Sequence, residues 1–246
     1  MNFGPINKIL FLGGGRRLSL LLVKIKNLTA DILVVTSPRL INNKIDSSLS
    51  FKAFLNKNGF PYIVTDRIDS DAVTSEVTDT TLGVSIGAVW VFKRLFIGLF
   101  QGRLVNVHGA RLPQNRGGGG FSWRILKKDK LGASLVHQVD EGIDTGDIVL
   151  YEEYIFPVRC KTPMDYHEYG VQKDLIFLEN FIRQVFSLNT FYPTPQQNTF
   201  TSYYPRLNTA AHGFIDWNWD VGEIETFVTA FDDPYDGAMT FLNGKK

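Results

Sequence analysis

Apolar residues fall along this chain in short dense runs separated by glycine or polar turns. Residues 8–12, 30–35, 62–64, 82–86 and 104–107 are such runs. Continuous apolar runs of this length read as strands buried on both faces, as in a parallel sheet. Between the first two, Leu18, Leu20, Leu21, Leu22, Val23 and Ile25 crowd into a mostly buried helix. Strand, glycine turn, helix and strand together open a parallel α/β sheet. Residues 37–50 are polar and read as a loop, 51–58 as a short helix, and 92–96 as a helical turn. Further on the pattern changes. Residues 132–138 and 148–155 alternate apolar and polar positions, as paired antiparallel strands do. Thr162-Pro163 is a cap residue followed by proline, and Leu175, Leu178, Phe181, Ile182, Val185 and Phe186 then recur at helical spacing. Residues 190–198, with Pro193 and Pro195, interrupt it. Beyond lies a stretch rich in Tyr, Trp and Phe, with one helix expected over 221–231. The expectation is therefore an α/β protein with a mixed, mostly parallel sheet over residues 1–190 and a small C-terminal appendage over 191–246.

Composition narrows the function classes. Of 246 residues 44% are hydrophobic and 21% charged, ordinary for a globular protein. The formal net charge of +1 gives no global field toward nucleic acid or an anionic membrane, so neither is expected as a partner. A single cysteine, Cys160, excludes an intrachain disulfide and reads as a small buried hydrophobe. The N-terminus lacks the basic-then-apolar pattern of a signal peptide, and the most apolar run, 82–92, is too short to span a bilayer. A cytoplasmic location is expected. No Cys, His or carboxylate cluster has metal-ligand spacing, so no metal is expected.

Gly13-Gly14-Gly15-Arg16-Arg17 follows the first strand. It lacks the glycine spacing of a dinucleotide fingerprint and the lysine of a phosphate loop. Two readings stand: a tight turn needing glycine backbone angles, or a phosphate site at a helix N-terminus formed by Gly14, Arg16 and Arg17.

The chemistry concentrates in Asn106-Val-His108-Gly-Ala-Arg111-Leu-Pro113 and in Asp144-Thr-Gly146. Asn106 and His108 end a strand, the edge of an open α/β sheet where ligands bind. An amide donates to a developing oxyanion, an imidazole handles protons near neutral pH, and a carboxylate orients the imidazole. Those three groups suffice to move an acyl group onto an amine without a metal.

The run from Asn106 to Gly117 closely resembles the Asn-x-His-x-Ser-x-Leu-Pro-x-x-x-Gly signature of the N10-formyltetrahydrofolate-dependent formyltransferases. Val139-Asp-Glu-Gly142-Ile-Asp144-Thr-Gly146 resembles that family's folate loop and catalytic aspartate. Ala110 replaces the usual serine, and the glycine run 117–120 is longer than usual. The resemblance implies a Rossmann-like formyltransferase core and N10-formyltetrahydrofolate as donor. It also implies three roles. Asn106 donates to the formyl oxygen, His108 stabilises the oxyanion and moves protons, and Asp144 orients His108. The folate is expected against Ile86, Gly87, Val89 and Trp90, and against Val139, Asp140 and Gly142. For Trp90, ring contact and ordinary core packing are both open.

Three branches of the family differ in acceptor. The purine-pathway branch carries a different glycine loop, and the initiator-tRNA branch adds a basic C-terminal barrel. The branch acting on nucleotide-linked amino sugars has a tail resembling Tyr203-Tyr204-Pro205, Ile215-Asp-Trp217 and 231–238 of this chain. It implies a nucleotide-linked amino-dideoxy sugar as partner, dTDP-4-amino-4,6-dideoxyglucose being the best single expectation, for surface polysaccharide. Arg16, Arg17, Arg111 and Arg116 are candidate cations for the diphosphate. Tyr203, Tyr204, Trp217 and Trp219 are candidate platforms for the base, though aromatics in a small appendage also build its core. Dimers are common in the family, so a homodimer is expected. Relatives continue for a further strand beyond Phe241–Lys246, which leaves a truncation open. The alternatives are a methionyl-tRNA or glycinamide-ribonucleotide type of formyltransferase, and a catalytically silent nucleotide-sugar binding protein.

Overall fold

The computed structural model describes residues 1–118 and 120–241. Gly119 of the glycine run and residues 242–246 lie outside the described residues. The described chain forms two compact units, each discontinuous in sequence. The first comprises residues 1–109, 134–152 and 174–196. The second comprises 110–133, 153–173 and the residues from 197 on. A contiguous division at residue 190 does not coincide with this partition.

The first unit is built on a seven-stranded sheet. It begins with β1 (Lys8–Gly13), α1 (Arg16–Ile25), β2 (Asp31–Thr36), α2 (Pro38–Ile41), α3 (Phe51–Asn58) and β3 (Tyr62–Val64). It continues through α4 (Asp71–Thr74), β4 (Thr81–Ile86), α5 (Arg94–Leu99) and β5 (Leu104–His108). After β6 (Arg116–Gly117) and α6 (Gly120–Leu126) come β7 (Leu131–Gln138), β8 (Ile148–Ile155) and the long α7 (Pro163–Phe186). The strand order is β3-β2-β1-β4-β5-β7-β8. Pairings from β3 through β5 are parallel, and β7 joins β5 antiparallel. The expected Rossmann-like sheet is thus present, and the switch in hydropathy pattern after residue 108 marks the switch in strand direction.

Two apolar clusters flank this sheet. One gathers Ile9, Phe11, Leu18, Leu21, Leu22, Val84 and Val105 with Leu178, Phe181 and Ile182. The other gathers Leu10, Leu12, Val35, Phe96 and Phe100. Alternate residues of β1 point to opposite faces, so Ile9 and Phe11 enter one cluster and Leu10 and Leu12 the other. That is why the strand reads as a continuous apolar run.

Three local differences from the sequence reading have plain causes. Within the polar stretch 37–50, Ser37 caps α2 by accepting from the Leu40 N–H, with Pro38 at its first position. The helical turn expected at 92–96 starts later, at Arg94, because Lys93 is extended. The helix expected over 221–231 is α9 (Val221–Ala230), closed by a reciprocal cap between Asp220 and Glu223.

The second unit holds an aromatic core of Phe156, Tyr166, Phe227 and Phe231 with Ile125 and Cys160. Its short β6 pairs parallel with β9 (Tyr203–Tyr204), and α8 (Thr209–His212) precedes α9. Cys160 is buried there, and burial pushes its thiol up, the character of an inert thiol. Among the described residues, no helix is long and apolar enough to cross a membrane.

Candidate active site

Asn106 and His108 share a face of β5 because side chains two apart on a strand point the same way. The antiparallel register sets His137 of β7 directly opposite Asn106, and Leu135 opposite His108. Asn106 and His137 therefore also share a face. The Asn106 Nδ2 lies 3.0 Å from His137 Nε2. His137 Nδ1 lies 2.7 Å from the carbonyl oxygen of Gln138. That oxygen only accepts, so Nδ1 carries the hydrogen and Nε2 accepts from the Asn106 amide. The chain of bonds orients the amide with a second N–H left over for another acceptor.

Asp144 reaches this pair from the loop that follows β7. Its Oδ1 stands 3.7 Å from His108 Nδ1 and 3.5 Å from His137 Nε2. The carboxylate thus stands beside both rings, and it is His108 that it can orient, because His137 Nε2 already accepts from Asn106. The side chains of His108 and Asp144 keep 14% and 15% of their exposure, enough for a small reactant to reach them. Asp144 has φ of 54°, the left-handed region that costs a non-glycine residue roughly 1 kcal/mol. The loop holds it there. Gln196 donates to the carbonyls of Asp144 and Gly146. Asp140 accepts from the Gly142 N–H and the Thr145 hydroxyl. Gly146 approaches so closely that an added Cβ would lie 1.9 Å from the Gln138 oxygen.

The turn after β1 stands beside this edge for a backbone reason. Gly13 has φ of 132°, and a Cβ there would fall 2.1 Å from the Ile86 oxygen. Gly14 packs on the Phe51 ring. Gly13 is thus required by close approach to backbone, and at Gly14 a Cβ would press on the Phe51 ring. Arg16 is exposed and lies near Asp46, whose carboxyl is held below its usual range mainly by the Ser48 and Leu49 N–H groups and to a lesser degree by Arg16. Arg17 turns inward, its Nε 2.8 Å from the buried carboxylate of Asp174.

The expected folate segments line two separate clefts. Val139, Asp140 and Gly142 line one of about 520 Å³ with Arg94, Ile97 and Gly98. Trp90 lines another of about 410 Å³ with Arg67, Val91 and Phe96. Both volumes suit a small organic molecule. Ile86 itself is buried in β4, whereas Gly87 and Val89 are exposed. The Trp90 indole donates to the Asp66 carbonyl and its ring packs beside the second apolar cluster, so it is partly structural.

A model of the formyl transferase family matches residues 7–162, a span that includes β1, the Asn106–His108 strand and the Asp144 loop. The chain belongs to the formyl transferase family. Over 148 residues it is 32% identical to the methionyl-tRNA formyltransferase of Ruminiclostridium cellulolyticum, covering 58% of this chain and 44% of that protein. The chain thus spans less than half the length of this curated relative. Its fold resembles WlaRD, a sugar 3N-formyl transferase solved in the presence of dTDP and 5-N-formyl-THF. That likeness has TM-score 0.77 and 20% identity over 98% of this chain and 84% of that one. It also resembles a 4-N formyltransferase from Francisella tularensis, with TM-score 0.76 and 17% identity over 99% and 96%.

For this member of the family, the structure brings Asn106, His108 and Asp144 together and adds His137, which the sequence reading missed. A histidine within the strand expected at 132–138 was the available signal. It becomes meaningful only once the antiparallel register sets it across from Asn106. The remaining candidates lie in the second unit. Arg111 shares Asp129, at 3.0 Å, with the buried Arg124. Burial pulls the Arg124 guanidinium down in pKa, and Asp129 opposes the pull. Arg116 is buried in β6 with Nη1 3.3 Å from Asn198 Oδ1. Tyr204 carries Lys127 over its ring at 4.7 Å and has Trp123 alongside at 5.5 Å. Trp217 is 65% exposed, with its indole donating to the Thr240 hydroxyl.

Proposed function

We propose that this chain transfers a formyl group from N10-formyltetrahydrofolate to the free amine of a nucleotide-linked amino-dideoxy sugar. The observation that carries the transfer is the convergence of Asn106, His108, His137 and Asp144 at the end of β5.

The amine nitrogen attacks the formyl carbon, and a carbon–nitrogen bond forms while the carbonyl becomes an oxyanion. The spare N–H of Asn106 donates to that oxygen, and His108 stabilises it from the other side. One such donor lowers the barrier by about 3–4 kcal/mol. The intermediate then loses a proton from the new ammonium and delivers one to N10 of the folate, whose bond to the formyl carbon breaks. His108, oriented by Asp144, moves that proton, a step worth about a hundredfold to ten-thousandfold. The donor folate fits the cleft lined by Val139, Asp140 and Gly142, whose volume and nearness in sequence to Asp144 support the assignment. Gly87 and Val89, just beyond β4, are exposed.

For the acceptor, the similar fold of a sugar 3N-formyl transferase solved in the presence of dTDP supports an amino sugar on dTDP. Tyr204 and Trp217 are the candidate base platforms. Arg16 is an exposed cation near Asp46, and Arg17, Arg111 and Arg116 face carboxylates or amides of the protein. The relatives matched by sequence are methionyl-tRNA formyltransferases, which keeps the tRNA acceptor as a second reading.

The deciding experiment offers formyl donor with dTDP-3-amino and dTDP-4-amino sugars, a GDP-amino sugar, initiator tRNA and glycinamide ribonucleotide in parallel. Tetrahydrofolate release and acceptor mass are followed. Formylation of a sugar nucleotide at a rate far above the other acceptors is expected. Formylation of tRNA alone replaces the acceptor assignment, and absence of folate release with every acceptor leaves a silent binding protein. Gel filtration tests the homodimer, and fractionation the cytoplasmic location.

A further inference from the structure

Behind His108 sits a charge pair that formyl transfer does not use. Asp174, on α7, has no exposed surface. Its Oδ1 accepts from the Ser134 hydroxyl of β7 at 2.5 Å. Its Oδ2 lies 2.8 Å from Nε of Arg17 in the first turn of α1. Burial pushes the Asp174 carboxyl up, against the pull of Arg17 and then of Ser134. Beside this pair lies Gly109, the first residue after His108. A Cβ on Gly109 would lie 3.2 Å from Arg17 Nη2 and 3.8 Å from Asp174 Oδ2. Ser134 in turn precedes Leu135, the register partner of His108.

Stability alone does not account for such a pair. Taking Asp174 fully and Arg17 mostly out of water offsets much of their attraction, and a well-packed apolar pair of the same volume is often as stable or more so. What the charges add is geometric definition, at the point where the chain leaves the catalytic strand. We propose that Arg17, Ser134 and Asp174 form a positioning network that holds Gly109, and through it sets the His108 imidazole against Asp144 and Asn106. The start of α1 and α7 then meet beside Gly109, with β7 holding Asp174 through Ser134. Arg17 acts through Gly109 and not as a phosphate ligand. The inference rests on the transfer reading for its kinetic consequence, but its geometric content is independent of it.

The test compares the wild type with Arg17→Met, Asp174→Asn, Gly109→Ala and the double variant Arg17→Met/Asp174→Leu. Thermal midpoint, kcat, KM and the side-chain NMR signals of His108 are measured, with exposed His212 as internal control. The single variants are expected to lower kcat about tenfold to a hundredfold with little change in KM. The double variant should regain the thermal midpoint while kcat stays low. Gly109→Ala leaves both charges in place and should reproduce the loss. Recovery of wild-type kcat together with stability in the double variant overturns the network, since the pair would then be structural only. If the wild type transfers formyl to no acceptor, the NMR arm still decides. Displaced His108 signals with His212 unchanged support the network, and unmoved His108 signals overturn it. Should the single variants fail to fold, the double variant and Gly109→Ala carry the test.

Discussion

The Asn106 amide nitrogen stands 3.0 Å from Nε2 of His137, across an antiparallel strand pair that makes the two residues register partners. This contact gives the amide one orientation. A freely rotating amide would present its oxygen to the developing oxyanion about as readily as its N–H.

Replacing His137 should therefore act through Asn106. His137→Phe keeps a ring on the apolar strand and removes the acceptor. A fall in kcat of about tenfold or more is expected, less than the full value of one oxyanion donor. His137→Gln, which retains an acceptor, should recover part of it. Steady-state kinetics on both variants check the order.

Asn106→Ala removes the donor itself. The expected loss is about 10²–10³ in kcat, with KM for both substrates near wild type, because the bond forms fully only in the transition state. A change confined to KM would reassign Asn106 to ground-state binding.

Two glycines predict opposite outcomes for the same substitution. At Gly146 an added Cβ meets the Gln138 oxygen at 1.9 Å, and Gln196 bonds the Gly146 carbonyl, so the backbone cannot yield cheaply. Gly146→Ala should destabilise by about 1–3 kcal/mol or more and lower turnover by shifting Asp144. Gly98, within α5, has nothing within 4 Å of the built Cβ. Gly98→Ala should stabilise by about 0.5–1 kcal/mol. Urea unfolding of both variants measures the contrast.

The start of α7 predicts a pH effect. Asp165 accepts from the N–H groups of Thr162 and Lys161, which hold its carboxyl below the ordinary 3.8. A depressed folded value means the stabilisation is complete above 3.8 and disappears as pH falls through the lower folded value. Asp165→Ala should cost roughly 1 kcal/mol at neutral pH. The gap from wild type should begin to close only below pH 3.8, in denaturation curves taken at stepped pH.

Much of this architecture is legible along the chain. Strands β1, β2, β4 and β5 are continuous apolar runs because both faces of the sheet are covered. Asn106 and His108 sit two apart at a strand end, so their shared face follows from the pleat alone. Asp144 is recognisable from the glycines and Thr145 that build its loop. Other features are not local. Ser37 and Pro38 did signal the short α2, but within a polar stretch that outweighed them. Arg17 reads in isolation as a phosphate ligand, and only α7 supplies the buried carboxylate that claims it.

The order of residues determined which groups are present and which face each strand presents, since backbone periodicity is a near-neighbour property. Tertiary structure decided which of those groups meet. His137 opposes Asn106 by strand register, Asp144 reaches both imidazoles by loop geometry, and Asp174 meets Arg17 across helices some 157 positions apart. Such pairings depend on strand direction, register and burial, and a linear pattern carries none of these until the sheet has formed.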